Sequence, residues 1–250
     1  MLKYTKIKIS YVVPIYNEQE DLAAFYNLIN TYSSYNTSIL KHIHFIFVDD
    51  HSPIPIDIPE NCKLNYTLAR VATDIKWNQG GARNLGAHLA RSQKMILTDL
   101  DITFTEECFE FLINHKTPDN LHVFERISDG KTIHPHFNTF FCSKSTFFKS
   151  LGVDEEFCGH YGHEDVFFLD MQKRLGTKIF RITRFPVLHT EHKISDKPQH
   201  NLSRNEDYKR PLYEAKRRIL KDSNRDPYEA HSRLFLNFEW KIVKEHFTLV

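Results

Sequence analysis

The sequence predicts an α/β fold, a mostly parallel sheet flanked by helices. Three observations predict it: short apolar strand-like runs alternate with helical patterns through the N-terminal half, acidic clusters sit at the ends of those runs, and paired glycines open a helix between the third and fourth run.

Residues 7–13 form a β-rich apolar run stopped by Pro14. A helical pattern follows, with Leu22, Phe25, Leu28 and Ile29 at three- and four-residue spacing. Residues 44–48 read as a second buried strand ending in Asp49-Asp50, and Pro53, Pro55 and Pro59 make 51–61 a loop. Residues 64–71 are a third strand. Gly80-Gly81 then opens a helix whose Leu85 and Leu89 share one face, and 94–97 form a short strand running into Thr98-Asp99-Leu100-Asp101. The second half is less regular: strand over 138–142, helix over 144–151, loop over 159–162, helix over 164–175, and short strands over 178–182 and 186–188. From 201 onward the chain turns polar and is expected to be helical. No internal repeat or low-complexity tract is visible.

A chain of 250 residues suits one α/β domain with a small appendage. Hydrophobic content of 41% and charged content of 26% describe an ordinary soluble globule. A net charge of +1 supplies no global field for nucleic acid, so nucleic acid is not expected as a partner. The 20 Phe and 11 Tyr point to an aromatic core with rings left over to stack on a base or a sugar. Cys62, Cys108, Cys142 and Cys158 are far apart with no C-x-x-C, which argues against a zinc ribbon and suits a reducing compartment. The first residues lack the apolar core of a signal peptide, and no run approaches the ~18 apolar residues of a membrane span. The expectation is a soluble, cytoplasmic chain, with room for peripheral docking at the inner face of the membrane.

In open parallel sheets ligands bind beyond the carboxyl ends of the strands. Asn17 and Glu18 follow the first strand, Asp49-Asp50 the second, and Asp99 and Asp101 the fourth. On an extended segment Asp99 and Asp101 would face the same side. Their oxygen-only ligands favour Mg²⁺ or Mn²⁺. Two solvated loop acids would explain a lone D-x-D, but its place after an apolar strand favours the cation. Glu164-Asp165 follows His160-Tyr161-Gly162-His163 and opens a helix. The helix dipole alone would stabilise acids there, while two acids behind a Gly-x-x-Gly loop also suit a base that meets an acceptor hydroxyl. His189 and His192 have the spacing of a ligand pair, which 15 histidines could also produce by chance. In Trp77-Asn78-Gln79-Gly80-Gly81-Ala82-Arg83-Asn84-Leu85-Gly86, the glycines would expose helix-start amides to an anion, with Arg83 neutralising a diphosphate.

Taken in order, Val12-Val13-Pro14-Ile15-Tyr16-Asn17-Glu18, Val48-Asp49-Asp50-His51-Ser52, the Gly80 to Gly86 motif, Asp99-Leu100-Asp101 and Gly162-His163-Glu164-Asp165 resemble the family 2 glycosyltransferases and their GT-A relatives, including chondroitin-polymerase-like and β-1,4-galactosyltransferase-like enzymes. The resemblance covers about 7–192. It implies a GT-A (Rossmann-like) domain over 1–200, with a nucleotide-sugar half over about 1–103 and an acceptor half over about 104–200, and a helical C-terminal extension over 201–250. It implies that Pro14, Ile15 and Tyr16 line a nucleoside, with Asn17, Glu18 and Asp49 nearby. Asp50 would take the uracil edge, and Arg83 would sit by the nucleotide. Asp101 would bind the metal directly, with Asp99 near the ribose or a metal-bound water, and His192 and His189 would match histidine ligands of the galactosyltransferase-like relatives. Two departures stand out: His51 replaces the usual Gly after the Asp-Asp pair, and the usual Trp before Glu-Asp is replaced by His or Tyr.

The function implied is inverting, metal-dependent transfer from a nucleotide sugar, a UDP-sugar by the resemblance, to a glycan or glycolipid. Asp165 is the base, beside Glu164. The alternative of another class is a non-catalytic nucleotide-sugar or glycan-binding module on the same fold. The basic stretch from Arg204 and the apolar cluster from Leu234 to Val243 could seat the tail on anionic lipid, or pack back on the domain.

Overall fold

The computed structural model describes residues 7–18, 22–190 and 202–247. These form one ten-stranded sheet. Its centre is β1 (Ile9–Ile15), β2 (Ile43–Asp49), β3 (Tyr66–Val71) and β4 (Lys94–Leu97), adjacent in the order 3-2-1-4 and all parallel. The connections are α1 (Ala23–Ser33) with the single turn α2 (Thr37–Leu40), a loop, and α3 (Gln79–Leu89). After β4 come β5 (Ile102–Thr103), α4 (Glu106–Asn114), β6 (Leu121–Ser128), β7 (Lys131–Ile133) and β8 (Phe140–Ser143). Then follow α5 (Lys144–Lys149), α6 (Glu164–Arg174), β9 (Ile179–His189), α7 (Arg210–Lys221) and β10 (Trp240–His246). Beyond β4 the sheet continues 8-6-9-5, with β4–β8, β8–β6 and β9–β5 antiparallel and β6–β9 parallel.

The central strands are buried on both faces, as near-continuous apolar runs require. Successive side chains alternate between two cores. Tyr11, Val13, Phe45 and Phe47 meet Phe25 and Leu28 of α1 and Phe109 of α4, whereas Val12, Ile46 and Val48 meet Leu85 of α3. Tyr11 sits inside an aromatic cage, with Tyr32, Phe45, Phe104 and Phe109 all in edge contact and its hydroxyl 2.8 Å from that of Tyr32. Most of the aromatic excess is therefore core.

The elements from β5 to β7 were not predicted, β1 continues through Pro14 to Ile15, and two further stretches fold differently from expectation. The two short strands expected over 178–182 and 186–188 are one strand, β9 (Ile179–His189). Its register against β6 jumps from Phe124↔Ile182 to Arg126↔Val187, so the proline lies in an irregular segment where no ladder N–H is required. The segment from 201 contributes the expected helix, α7, but its apolar end forms β10 rather than a helix. That strand pairs antiparallel with β3 at the sheet edge. Among the described residues no helix is long and apolar enough to cross a membrane.

Candidate functional site

The order 3-2-1-4 puts the reversal of strand order at β1, and the polar clusters gather at the carboxyl ends around it. Pro14 and Ile15 belong to β1 itself, and Tyr16, Asn17 and Glu18 follow. Asp50 N donates to Ile15 O at 2.8 Å and Asn17 N to Ser52 Oγ at 3.1 Å, which ties the ends of β1 and β2 together. The Tyr16 hydroxyl donates to Glu18 Oε1 at 3.1 Å.

Asp49 and Asp50 face different surroundings. Asp49 is buried, ion-paired to Arg70, and accepts from Ser52 N and Ile56 N, so both of its oxygens shape the 51–58 loop instead of facing a ligand. Asp50 accepts one bond, from Asn78 Nδ2 at 2.9 Å. Burial pushes its pKa up to about 7, with Asp49 and Asp74 adding to the rise and the Asn78 bond opposing it. His51 makes the turn expected of glycine, at φ 57°, with Nδ1 3.2 Å from Val71 O. Histidine is among the side chains that tolerate this region best, so the backbone shape survives the substitution.

The glycines of α3 serve close packing. A Cβ at Gly86 would stand 2.1 Å from Val12 Cγ1, and one at Gly80 would stand 2.8 Å from Val153 Cγ1. The helix thus lies directly on β1 and presents Gln79 and Arg83, one turn apart, to the end of β4. Gln79 Nε2 at 2.8 Å and Arg83 Nη2 at 2.5 Å both donate to Oδ1 of Asp99, and Arg83 Nη1 donates to Asn138 Oδ1 at 2.8 Å. The Arg83 charge, expected to meet a diphosphate directly, is already balanced by Asp99.

Asp99 and Asp101 do not share a side. Ile102 N donates to Asp99 O at 3.3 Å, so the segment is a turn rather than an extended strand and period-2 alternation does not hold. Asp99 turns to α3. Asp101 turns to His189, whose Nε2 lies 3.2 Å from Asp101 Oδ2. The pairing Ile102↔His189 and the bond from Thr190 N to Asp101 O set this approach, and Ser128 Oγ lies 3.2 Å from His189 Nδ1. His192 lies outside the described residues.

One oxygen and one imidazole nitrogen suit a transition-metal cation such as Mn²⁺ better than Mg²⁺, which prefers oxygen throughout. Two donors in neighbouring octahedral positions at about 2.1 Å from a cation stand roughly 3 Å apart, close to the observed spacing. Hydrogen bonding on Nδ1 holds the ring with Nε2 toward the site, as ligating histidines usually are held. Among the described residues no group of three or more His, Cys, Asp or Glu converges; Asp101 and His189 are two residues that could hold a cation.

The second acidic pair opens α6. His163, at φ 74°, turns the chain into the helix. Burial and then the neighbouring Asp165 raise the Glu164 pKa to about 7, Arg83 opposes the rise, and Asp99 adds to it. Gly159 N donates to Lys76 O at 2.8 Å, which brings the loop before α6 to the turn before α3. Asp165 Oδ1 accepts from Val166 N at 2.7 Å. The tryptophan missing from the loop stands beside it: Trp77, from the turn before α3, packs its ring 4.8 Å from that of Tyr161.

Sequence reasoning overlooked Gln79, Asn78, Asn138 and Ser128. Gln79 was legible, because it precedes Arg83 by one helical turn in a helix already predicted. Asn138 and Ser128 carried no local signal, since their roles depend on long-range strand pairing.

The profile of the family described as Glycosyl transferase family 2 matches residues 10–162. No curated protein matches the chain by sequence. Among solved structures, S. aureus TarS 1–349 in complex with UDP-GlcNAc superposes with a TM-score of 0.64 at 15% identity, covering 90% of this chain and 69% of that one. The match spans 41% of a longer TarS chain. The catalytic domain of Drosophila β1,4-galactosyltransferase 7, in complex with xylobiose, superposes at 0.56 and 13% identity, covering 96% of this chain and 87% of that one. At such identities the likeness shows a shared fold, the GT-A arrangement of a central parallel sheet flanked by helices.

Proposed function

Because this chain belongs to glycosyl transferase family 2 and has the GT-A fold, we propose that it is an inverting, metal-dependent transferase. It moves a sugar from a nucleotide sugar to a hydroxyl of a glycan or glycolipid. The observation that carries this reading is the packing of the loop that leads to Glu164 and Asp165 on the turn that opens α3, with the rings of Trp77 and Tyr161 4.8 Å apart, next to the helix that carries the Arg83–Asp99 pair. A UDP-sugar is the donor we favour, supported by the UDP-GlcNAc bound to TarS, a protein of the same fold.

In this reading Pro14, Ile15 and Tyr16 line the nucleoside, and Asp50 accepts from the base edge. Asp99, oriented by Gln79 and Arg83, meets the ribose side. Asp101 and His189, with His192, hold Mn²⁺ or Mg²⁺, which when bound neutralises charge on the departing diphosphate. Asp165 takes the proton of the acceptor hydroxyl. The acceptor oxygen then bonds to the anomeric carbon as the bond from that carbon to the diphosphate oxygen breaks, opposite the attack, so the configuration inverts. Glu164 stands next to the base and keeps it from being the sole charge there. The nucleotide half is about 1–103 and the acceptor half about 104–200.

The other reading is a binding module without chemistry, which the full set of acids disfavours. UDP-sugar hydrolysis with and without Mn²⁺ separates the two: the transferase releases UDP slowly in the presence of Mn²⁺, and a chain that binds UDP-sugar yet never releases UDP is the module. Peripheral contact with anionic lipid through the segment from Arg204 to Val243 is a further part of the proposal, tested by sedimentation with anionic liposomes at low salt. A chain left in the supernatant has no such contact.

A further inference from the structure

Residues 202–213 lie across the loop that leads into Glu164 and Asp165. Trp77 Nε1 donates to Ser203 O at 2.9 Å, and Lys209 Nζ donates to Glu156 O at 2.7 Å. A Cβ at Gly162 would stand 3.2 Å from Glu206 Cγ. Two rings from this segment stack on two histidines of the loop: Tyr213 on His163 at 4.9 Å and 7°, and Tyr208 on His160 at 4.5 Å and 19°.

The two stacks differ in what they leave over. Tyr213 is partly buried and its hydroxyl donates to Asp170 Oδ2 at 2.9 Å, so it anchors α7 to α6. Tyr208 is 66% exposed, and among the described residues nothing bonds its hydroxyl. One face of the ring is stacked on His160, itself exposed, and at 66% exposure most of the remaining ring surface is clear of the described residues. Burial therefore contributes little to holding this ring in place. The stack instead presents a flat apolar face with a polar edge, four residues from Glu164. Tyr161, next to His160 in the chain, packs its ring 4.8 Å from that of Trp77. A pyranose ring matches such a surface, with C–H groups on one face and hydroxyls around its rim. Aromatic plates with a few polar groups beside them are how concave sites orient small ligands.

We propose that the Tyr208–His160 stack is an acceptor subsite, in which a sugar unit of the acceptor lies against the exposed ring surface of Tyr208. The segment after β9 is then part of the acceptor site, and the rings gathered on the loop that leads to the acids come from three separate stretches of chain: Trp77, 160–163 and 208. This inference rests on the transferase reading for what the subsite serves, but its test does not depend on catalysis.

The test uses the whole chain, wild type, Tyr208→Ala and Tyr208→Phe, and saturation-transfer NMR against a panel of neutral methyl and p-nitrophenyl glycosides and disaccharides including xylobiose. It is run with and without UDP and Mn²⁺. Calorimetry with UDP checks the donor site separately. The expected result is saccharide binding weakened about tenfold in Tyr208→Ala, retained in Tyr208→Phe, and accompanied by unchanged UDP affinity. Saccharide binding that Tyr208→Ala leaves intact overturns the subsite, as does a chain that binds UDP but no saccharide of the panel. Saccharide binding that depends on Tyr208 in a chain without UDP affinity keeps the subsite and removes the transferase reading. Response only to p-nitrophenyl compounds, and not to the matching methyl glycosides, assigns the plate to an aromatic group and overturns the sugar assignment.

Discussion

Arg83 reaches Asp99 through Nη2 and Oδ1 at 2.5 Å, with the arginine side chain 5% exposed and the aspartate 25%. A buried arginine whose partner is removed keeps an uncompensated charge, a loss of about 3–5 kcal/mol for a fully buried pair. Asp99→Ala should therefore lower stability strongly, toward the lower end of that range because Asp99 is partly solvated. The double variant Asp99→Ala/Arg83→Met should be less damaged than the sum of the singles. A denaturation cycle in which the two costs simply add would show that the residues act separately.

In the proposed reading, metal dependence rests on the other acid of the motif, Asp101. Asp101→Ala should abolish UDP-sugar turnover and Mn²⁺-dependent UDP binding, while His189→Ala should raise the Mn²⁺ concentration giving half-maximal rate. Variation of His192 should act in the same direction. Turnover by Asp101→Ala at a tenth of the wild-type rate would remove the assignment. An unmoved Mn²⁺ curve in both histidine variants would return them to ordinary structural histidines.

Asp165→Asn keeps the shape of the side chain and removes its basicity, so it should retain UDP-sugar affinity and lose transfer. Glu164→Gln should keep measurable transfer. The carboxyl of Glu164, raised to about 7 by burial and by Asp165, is itself poised for proton transfer near neutrality. A dead Glu164→Gln beside an active Asp165→Asn would exchange the two roles.

The fold was legible because its core strands are locally coded. Residues 9–15 and 43–49 are apolar runs too short for helices, and the loop prolines separate them from the third strand. The positions of the acids were legible for the same reason, since a strand end fixes where the next residue stands. Their orientation was not. Whether Asp99 and Asp101 point together depends on one turn hydrogen bond, and the partner of Asp101 comes from β9, 88 residues later by numbering. β10 was misread as helical because the apolar cluster from Leu234 to Val243 has partly helical spacing; 232–239 are instead irregular, and only from Trp240 does pairing with β3 make a strand. α4 went unread although it is well signposted: Thr105 caps Cys108 N, and Glu106 and Glu107 fill the first turn.

In the proposed reading, Asp50 couples pH to both stability and binding. Its pKa rises from 3.8 in the unfolded chain to about 7 in the folded one, chiefly through burial. The folded state thus holds the proton more tightly. The stabilising contribution is complete below pH 4 and is lost as pH rises toward 7, by up to about 4 kcal/mol if the whole shift is expressed. Asp50→Asn keeps a group of the same shape beside Asn78 without the ionisation. The variant should match the wild type in thermal stability near pH 4 and exceed it increasingly up to pH 8. The same variant should bind UDP more weakly, since the charge that burdens the empty site is the one that would accept from the base. Melting curves across pH 4–8 and UDP titrations at pH 8 check both halves. A stability difference that does not change with pH would show that the buried carboxyl is not what links the two.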